Sequence, residues 1–277
     1  MASGVSSAVV SSRSTGAVLA ALGRVIFAFA IVALGVETFV RARSLGDNLG
    51  FNYSVVAVLP WLPAGIPWLA YLFGAIWIAC AIGLLSQKTR ASAAIVLGIL
   101  ISVCALILEV PKAAVHASSM SLRTIVFEPL SIAALAWLIP SSGVPRLLAV
   151  LSRYILAVSF IVFGVDHFLA LAGIGTLVPS WIPWHVFWIA FFGALFVAAG
   201  LSFALHILER WAAIGIGLMF AIWVLTLHIP RTLGYYGIPN ALHDPNEWSS
   251  LFIAIALCGG PWAISQNIAS PSRSLKP

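Results

Sequence analysis

The sequence predicts an all-α integral membrane protein with eight transmembrane helices, arranged as two parallel-oriented four-helix repeats. Three observations carry this reading. Hydrophobic residues fill 62% of the 277 positions and charged residues only 8%, with a mean hydropathy of +1.08, a balance outside that of soluble globular domains. Eight segments are continuously apolar over roughly the 20 residues needed to cross about 30 Å of hydrocarbon. Finally, short motifs carrying charged groups recur at fixed spacing in both halves.

The apolar segments lie near residues 25–42, 66–86, 91–110, 124–140, 153–171, 184–206, 211–230 and 247–265. Their unbroken character excludes a transmembrane β-barrel, whose strands alternate apolar and polar residues. Residues 1–23 are small and Ser-rich, lack a signal-peptide core and read as a flexible tail. Residues 24–140 make the first repeat. Residues 141–152, with Ser141-Ser142-Gly143-Val144-Pro145, read as a linker. Residues 153–265 make the second repeat and 266–277 a C-terminal tail.

Within each unit the first helix ends in a matching motif: Gly35-Val36-Glu37-Thr38-Phe39 returns as Gly164-Val165-Asp166-His167-Phe168. The following loop repeats Trp61-Leu62-Pro63 as Trp181-Ile182-Pro183, a composition suited to an interfacial turn. The third helix ends in Leu108-Glu109-Val110-Pro111-Lys112 and again, 119 positions later, in Leu227-His228-Ile229-Pro230-Arg231. At the same offset Glu128 falls on Glu247 and Ser131 on Ser250. Four spans per unit is an even number, so two tandem copies insert in the same direction.

Eight spans also put both termini on one side. That side carries Arg13, Arg24, Lys88, Arg90, Arg146, Arg153, Arg210, Arg273 and Lys276. The other carries Arg41, Arg43, Lys112, Arg123 and Arg231. The positive-inside rule then places both termini in the cytoplasm, in a bacterial inner membrane. The net charge of +6 is therefore a topological bias and gives no nucleic-acid signal. Seven of the eight acids and five of the six histidines fall on the outer side, with Asp47 and Asp244 among them. The positive-inside rule leaves that asymmetry unexplained, since acids contribute little to topology.

Ionisable groups inside spans are costly without partners, so each is either paired or functional. Asp166, His167 and His228 are the candidates for proton exchange, because a neighbouring carboxylate moves a histidine across physiological pH. Glu37, Glu109, Lys112, Glu128, Arg231 and Glu247 are candidate ligand-binding groups. The structural alternative pairs Glu37 or Asp166 with Lys112 or Arg231. For Glu247, Asp244-Pro245-Asn246-Glu247 reads as a capping-box-like helix start, which accounts for it without a function. Pro111 and Pro230 read as helix terminators that free the carbonyls of Ile107 and Thr226. His206 and Glu209 read as solvated loop residues on the cytoplasmic side. No metal is expected, since no His-x-x-x-His or Glu-x-x-His pair occurs. Cys80, Cys104 and Cys258 form no CxxC and read as packing residues. Trp188, Phe191, Phe192, Phe220 and Trp223 either line a cavity for a flat lipophilic ligand or simply pack.

The run Phe163-Gly164-Val165-Asp166-His167-Phe168, then Val178-Pro179-Ser180-Trp181-Ile182-Pro183 and Trp188, resembles the DoxX family of small membrane proteins. Asn246-Glu247-Trp248-Ser249-Ser250-Leu251-Phe252 with Gly259-Gly260 adds to the likeness. The second unit matches best; the first carries Thr38 and Glu109 where the second has His167 and His228. Family members are single four-helix units, so the doubling is a departure. The resemblance implies a quinone-linked membrane subunit of an oxidoreductase system, or a membrane partner of periplasmic redox proteins, and supplies no catalytic residue set. The residues leave the cofactor open, and the resemblance adds a quinone as one candidate. The rival expectations are a carrier of a small lipophilic or anionic solute, and a scaffold docking a periplasmic protein.

Overall fold

The computed structural model describes residues 2–47, 67–116, 118–237 and 241–268, with side chains described from Thr15 onward in the first helix and up to Arg41 there. The repeated Trp61-Leu62-Pro63 turn, together with the charges at Arg13, Arg43, Asp47, Arg273 and Lys276, lies outside what is described. The described residues form helices joined by turns, with no strand among them: α1 (Ala2–Asp47), α2 (Pro67–Leu85), α3 (Arg90–Cys104), α4 (Val110–Val115), α5 (Met120–Leu138) and α6 (Arg146–Leu169) in the first part. Then come α7 (Leu171–Gly175), α8 (His185–Leu205), α9 (Glu209–Trp223), α10 (Ile229–Thr232) and α11 (Pro245–Ile264). Eight stretches are long and apolar enough to cross a membrane, from Thr15–Arg41 to Asn246–Ile264.

The boundaries shift from the expected ones at two places. The segment read as a tail is helical from Ala2, because residues 2–23 contain no proline to stop the helix. Among the residues whose side chains are described the span covers Thr15–Arg41, and Gly23 packs directly on Ala263 and Gly259. The linker is also shorter than expected. Pro145 is the N-cap of α6, and only Gly143, at φ +85°, needs the left-handed region.

The α3–α4 and α9–α10 stretches are each interrupted by one turn of π-helix, Ala105–Glu109 and Val224–His228, 119 positions apart. Pro111 and Pro230 cause this. A proline offers no N–H to the carbonyl four residues back, and its ring crowds that carbonyl, so the turn widens. Val110 N–H then reaches Ala105 O and Ile229 N–H reaches Val224 O, both five residues back. In the second stretch the carbonyl released at Thr226 accepts from the Tyr236 hydroxyl at 2.6 Å. Tyr236→Phe is expected to lower stability by about 1–2 kcal/mol, the cost of a polar group left without its partner. Thermal unfolding in detergent checks this; an unchanged transition would show that another donor covers Thr226.

Packing departs from two self-contained bundles. Each spanning helix lies against its neighbours in sequence, but α1 closes on α11 and α5 on α6, so the eight spans form a ring. Helices α5 and α11 also meet across its centre, where Ile132, Ala133, Ala134, Leu135 and Ala136 are fully buried. Among the described residues α1 does not approach α5, nor α6 approach α11. Small residues decide these pairings by letting backbones come close. A Cβ at Gly259 would stand 2.6 Å from Phe27 N and 2.7 Å from Gly23 O.

Two further contacts recur in the ring. The Trp137 indole covers Gly98 and donates to Ile95 O at 3.4 Å; the Trp262 indole covers Gly217 and donates to Ile214 O at 3.2 Å. The third-helix partners are 119 apart, but the tryptophans are 125 apart. The offset linking Glu128 to Glu247 therefore does not carry into α5 and α11. Glu247 lies in the first turn of α11, while Glu128 lies eight residues, about 12 Å, into α5. The cause is the longer connection before α11, from Leu233 to Asp244.

Candidate functional site

The ionisable residues read from the sequence divide into two groups. Most are satisfied inside the protein. Arg231 holds Glu247 with two bonds, Nε to Oε2 at 3.0 Å and Nη2 to Oε1 at 2.6 Å. Lys112 Nζ bonds both oxygens of the fully buried Glu109, at 3.1 and 3.2 Å. Glu37 pairs with Arg41 at 2.9 Å, one helical turn on, and accepts from Ser249 of α11 at 2.8 Å. Asp166 is held by Arg123 from the start of α5, through Nη2 and through Nε at 2.9 Å.

These pairings correct the expected ones. Lys112 and Arg231 are taken by their own neighbours, so Asp166 turns to Arg123 and Glu37 to Arg41. Asp244 does cap α11, accepting from Asn246 N–H at 2.8 Å. The carboxylate of Glu247 goes to Arg231 and so does not complete a capping box. At the opposite end of the ring Glu209 is buried, bound by His206 at 2.9 Å and by Arg153 at 3.5 Å. It is therefore an internal tie between α6 and α9, not a solvated loop residue.

The second group faces a cavity of about 740 Å³ bounded by α5, α6, α8, α9, α11 and the loop before α8. That volume falls within the range of small-molecule sites. Glu128, Asp166, His167 and His228 all lie on its wall. Asp166 is occupied by Arg123. Glu128 and His228 have no hydrogen-bond or ion-pair partner among the described residues, and both are only partly buried. The His167 ring uses one nitrogen, Nδ1, which lies 2.7 Å from Phe163 O. A carbonyl only accepts, so Nδ1 carries the hydrogen and the neutral ring keeps its lone pair on Nε2.

The rest of the wall is aromatic. Trp188, Phe191, Phe192, Phe220 and Trp223 line it, so the five aromatics singled out in the sequence all meet at one place. Trp223 stacks on His167 at 5.7 Å and 15°, and Phe192 stands edge-on to Trp223 at 5.3 Å. Trp181 and Trp184 of the preceding loop are exposed at the rim. The π-helical turn places His228 here: it delivers Thr226, Leu227 and His228 to the wall together.

No protein-family model, curated protein or solved structure matches this chain. The geometry alone therefore defines the site. The wall combines indole and phenyl rings with the partly buried ionisable groups Glu128, His167 and His228. Arg123 was not singled out in the sequence. Its signal was only that it starts the helix whose neighbour ends at Asp166. Arg41 was findable, since Glu37 and Arg41 have the i,i+4 spacing of a helical ion pair.

Proposed function

We propose that this chain is a DoxX-like membrane protein whose second half binds a quinone-class ring, as the membrane subunit of a redox system. The observation that carries the proposal is the aromatic cavity with Glu128 and His228 on its wall, both unpartnered among the described residues. An ionisable group at membrane depth without a partner is costly, so it marks a ligand or proton pathway by default. Aromatic faces take the ring, and the few polar groups orient its oxygens. His167 and His228 exchange protons with the ligand under this proposal, while Asp166 is held by Arg123. Under this proposal the electrons come from a partner protein or from the hydroquinone form of the ligand.

We also propose the doubled architecture: two parallel four-helix repeats, 24–140 and 153–265, exchanging their first helices within one ring. Supporting it are the two π-helical turns, the two tryptophan-over-glycine contacts and the glycine pairs Gly35–Gly74 and Gly164–Gly193, each in close approach. The termini face the cytoplasm of a bacterial inner membrane under this reading, and the cavity faces outward, towards a periplasmic partner.

Titrating the purified protein with tetramethyl-benzoquinone and its hydroquinone tests the function. At least one redox form is expected to bind, and His228→Ala to weaken that binding by about tenfold, the loss of one hydrogen bond. Failure of both forms to bind would refute the proposal.

A further inference from the structure

The two halves differ in charge at the end of the ring opposite the cavity. We propose that Arg24 and Arg90 bind the phosphate of an anionic membrane lipid, in the place that an internal carboxylate fills in the second half. The comparison uses the doubled architecture proposed above and is independent of the quinone-class reading.

In the second half, Arg153 of α6 meets Glu209, the first residue of α9, at 3.5 Å. His206, from the turn before α9, binds the same carboxylate oxygen at 2.9 Å. Glu209 is buried, so its charge needs these partners. The spacing that links Gly35 to Gly164 carries Arg24 onto Arg153, and the spacing that links Pro111 to Pro230 carries Arg90 onto Glu209. The helix positions agree, since Arg90 opens α3 as Glu209 opens α9. Where the second half sets a base against an acid, the first sets two bases against each other. A positive-inside bias explains cations on this side of the ring, but not a base standing in for the acid of an ion pair.

Arg90 is held in place by the end of α2, donating from Nε to Leu84 O at 2.9 Å and from Nη2 to Leu85 O at 3.2 Å. Its guanidinium has five N–H groups, so donors remain for a ligand. Arg24 is half-buried, has no hydrogen bond or ion pair among the described residues, and lies near enough to Arg90 to feel its charge. Glu37, the first acid on α1, lies thirteen residues further along that helix, about 20 Å away. Two like charges held together in this way repel, and a bound anion removes the repulsion.

The surroundings favour a lipid as the source of that anion. Arg90 begins one membrane span just after the previous one ends at Leu85, which puts the pair at a membrane boundary. Leu22 and Val25 of α1 and Ile82 and Leu85 of α2 are apolar and exposed, and offer a surface for acyl chains. Guanidinium groups match phosphate oxygens through paired N–H bonds, and basic pockets between transmembrane helices take anionic headgroups. A free anion would gain the charge contact and none of the apolar one.

The test titrates the full-length protein in neutral detergent with phosphatidylglycerol, phosphatidylcholine of the same acyl chains, and inorganic phosphate. Native mass spectrometry reads lipid binding, and thermal unfolding reads all three. Phosphatidylglycerol is expected to bind at least tenfold more tightly than phosphatidylcholine and to raise the unfolding transition. Arg24→Gln is expected to weaken that binding about fivefold, the scale of one cation at an anionic headgroup. Arg90→Glu, which restores the acid of the second half, is expected to abolish the preference. Arg146→Gln removes an exposed cation from the same side and is expected to leave it unchanged. Equal binding of the two lipids overturns the inference. So does a preference unmoved by Arg24→Gln in folded protein, which decides alone if Arg90→Glu does not fold. An equal loss in Arg146→Gln would mean diffuse attraction and no site. Inorganic phosphate reproducing the whole rise in the transition would assign the anion to solution and overturn the lipid.

Discussion

Arg123→Leu is expected to destabilise the protein by about 3 kcal/mol, the scale for removing one partner of a buried ion pair. Asp166 is 3% exposed and sits near the end of α6. It is held there by Arg123 Nε at 2.9 Å and by Nη2, and its other oxygen, Oδ2, has no bond. Once the guanidinium is gone, a carboxylate remains among apolar side chains with nothing to neutralise it. The loss reaches further than one pair, because Arg123 and Asp166 join α5 to α6, a junction between the halves of the ring. Thermal and denaturant unfolding of the purified protein reads the effect. Combining Arg123→Leu with Asp166→Asn is expected to recover more than half of the lost stability, since no charge is then buried. A double variant no better than the single one would refute the ion-pair account.

Gly259→Ala is the second large effect, expected to cost about 3 kcal/mol through overpacking. Its Cβ would fall 2.6 Å from Phe27 N and 2.7 Å from Gly23 O. Both are backbone atoms, which cannot swing aside as a side chain can, so α1 and α11 must separate. Their contact closes the ring, and the separation propagates to Ser249 and its 2.8 Å bond to Glu37. Gly215→Ala in α9 is the control: nothing lies within 4 Å of its added Cβ. There the methyl group is expected to stabilise the helix by about 0.5–1 kcal/mol. Comparing the two unfolding transitions separates crowding from helix propensity. Equal effects at both sites would contradict the close-approach argument.

Much of this was legible in the sequence, and the remainder was hidden for identifiable reasons. The spans followed from unbroken apolar runs: the described helix His185–Leu205 lies within one residue of the expected 184–206 at each end, while Arg146–Leu169 starts seven residues before the expected 153. The proline motifs correctly drew attention to Pro111 and Pro230. What they do is a widened turn, and no rule of spacing distinguishes a π-turn from a simple stop. The cavity aromatics were visible as a group, but their convergence depends on how α8 and α9 rotate about their axes. Glu128 was matched to Glu247 by an offset that is correct for the third helix and wrong for the fourth, because the second connection is longer. The structure separates the two: Glu247 is an ion-paired residue of a first turn, and Glu128 is an unpaired one two turns deep. Pairing across the ring was the least readable feature. Which helix meets α1 is set by Gly23 and Gly259, more than 200 residues apart in sequence.

The closure of α1 on α11 also bears on how the protein is made. Membrane helices emerge from the ribosome in order, and α1 is complete more than 200 residues before α11. At about 5–20 residues per second, that leaves the first helix without its long partner for roughly 10–40 s. During that interval Glu37 has Arg41 but not Ser249, and the glycine face of α1 is open to lipid or to other helices. The nascent chain is thus committed to waiting, and a ribosome stalled before residue 245 leaves an unfinished ring with its first helix exposed. Quality control in the membrane would meet this protein at that stage, as a chain whose first helix has α2 beside it but not yet α11.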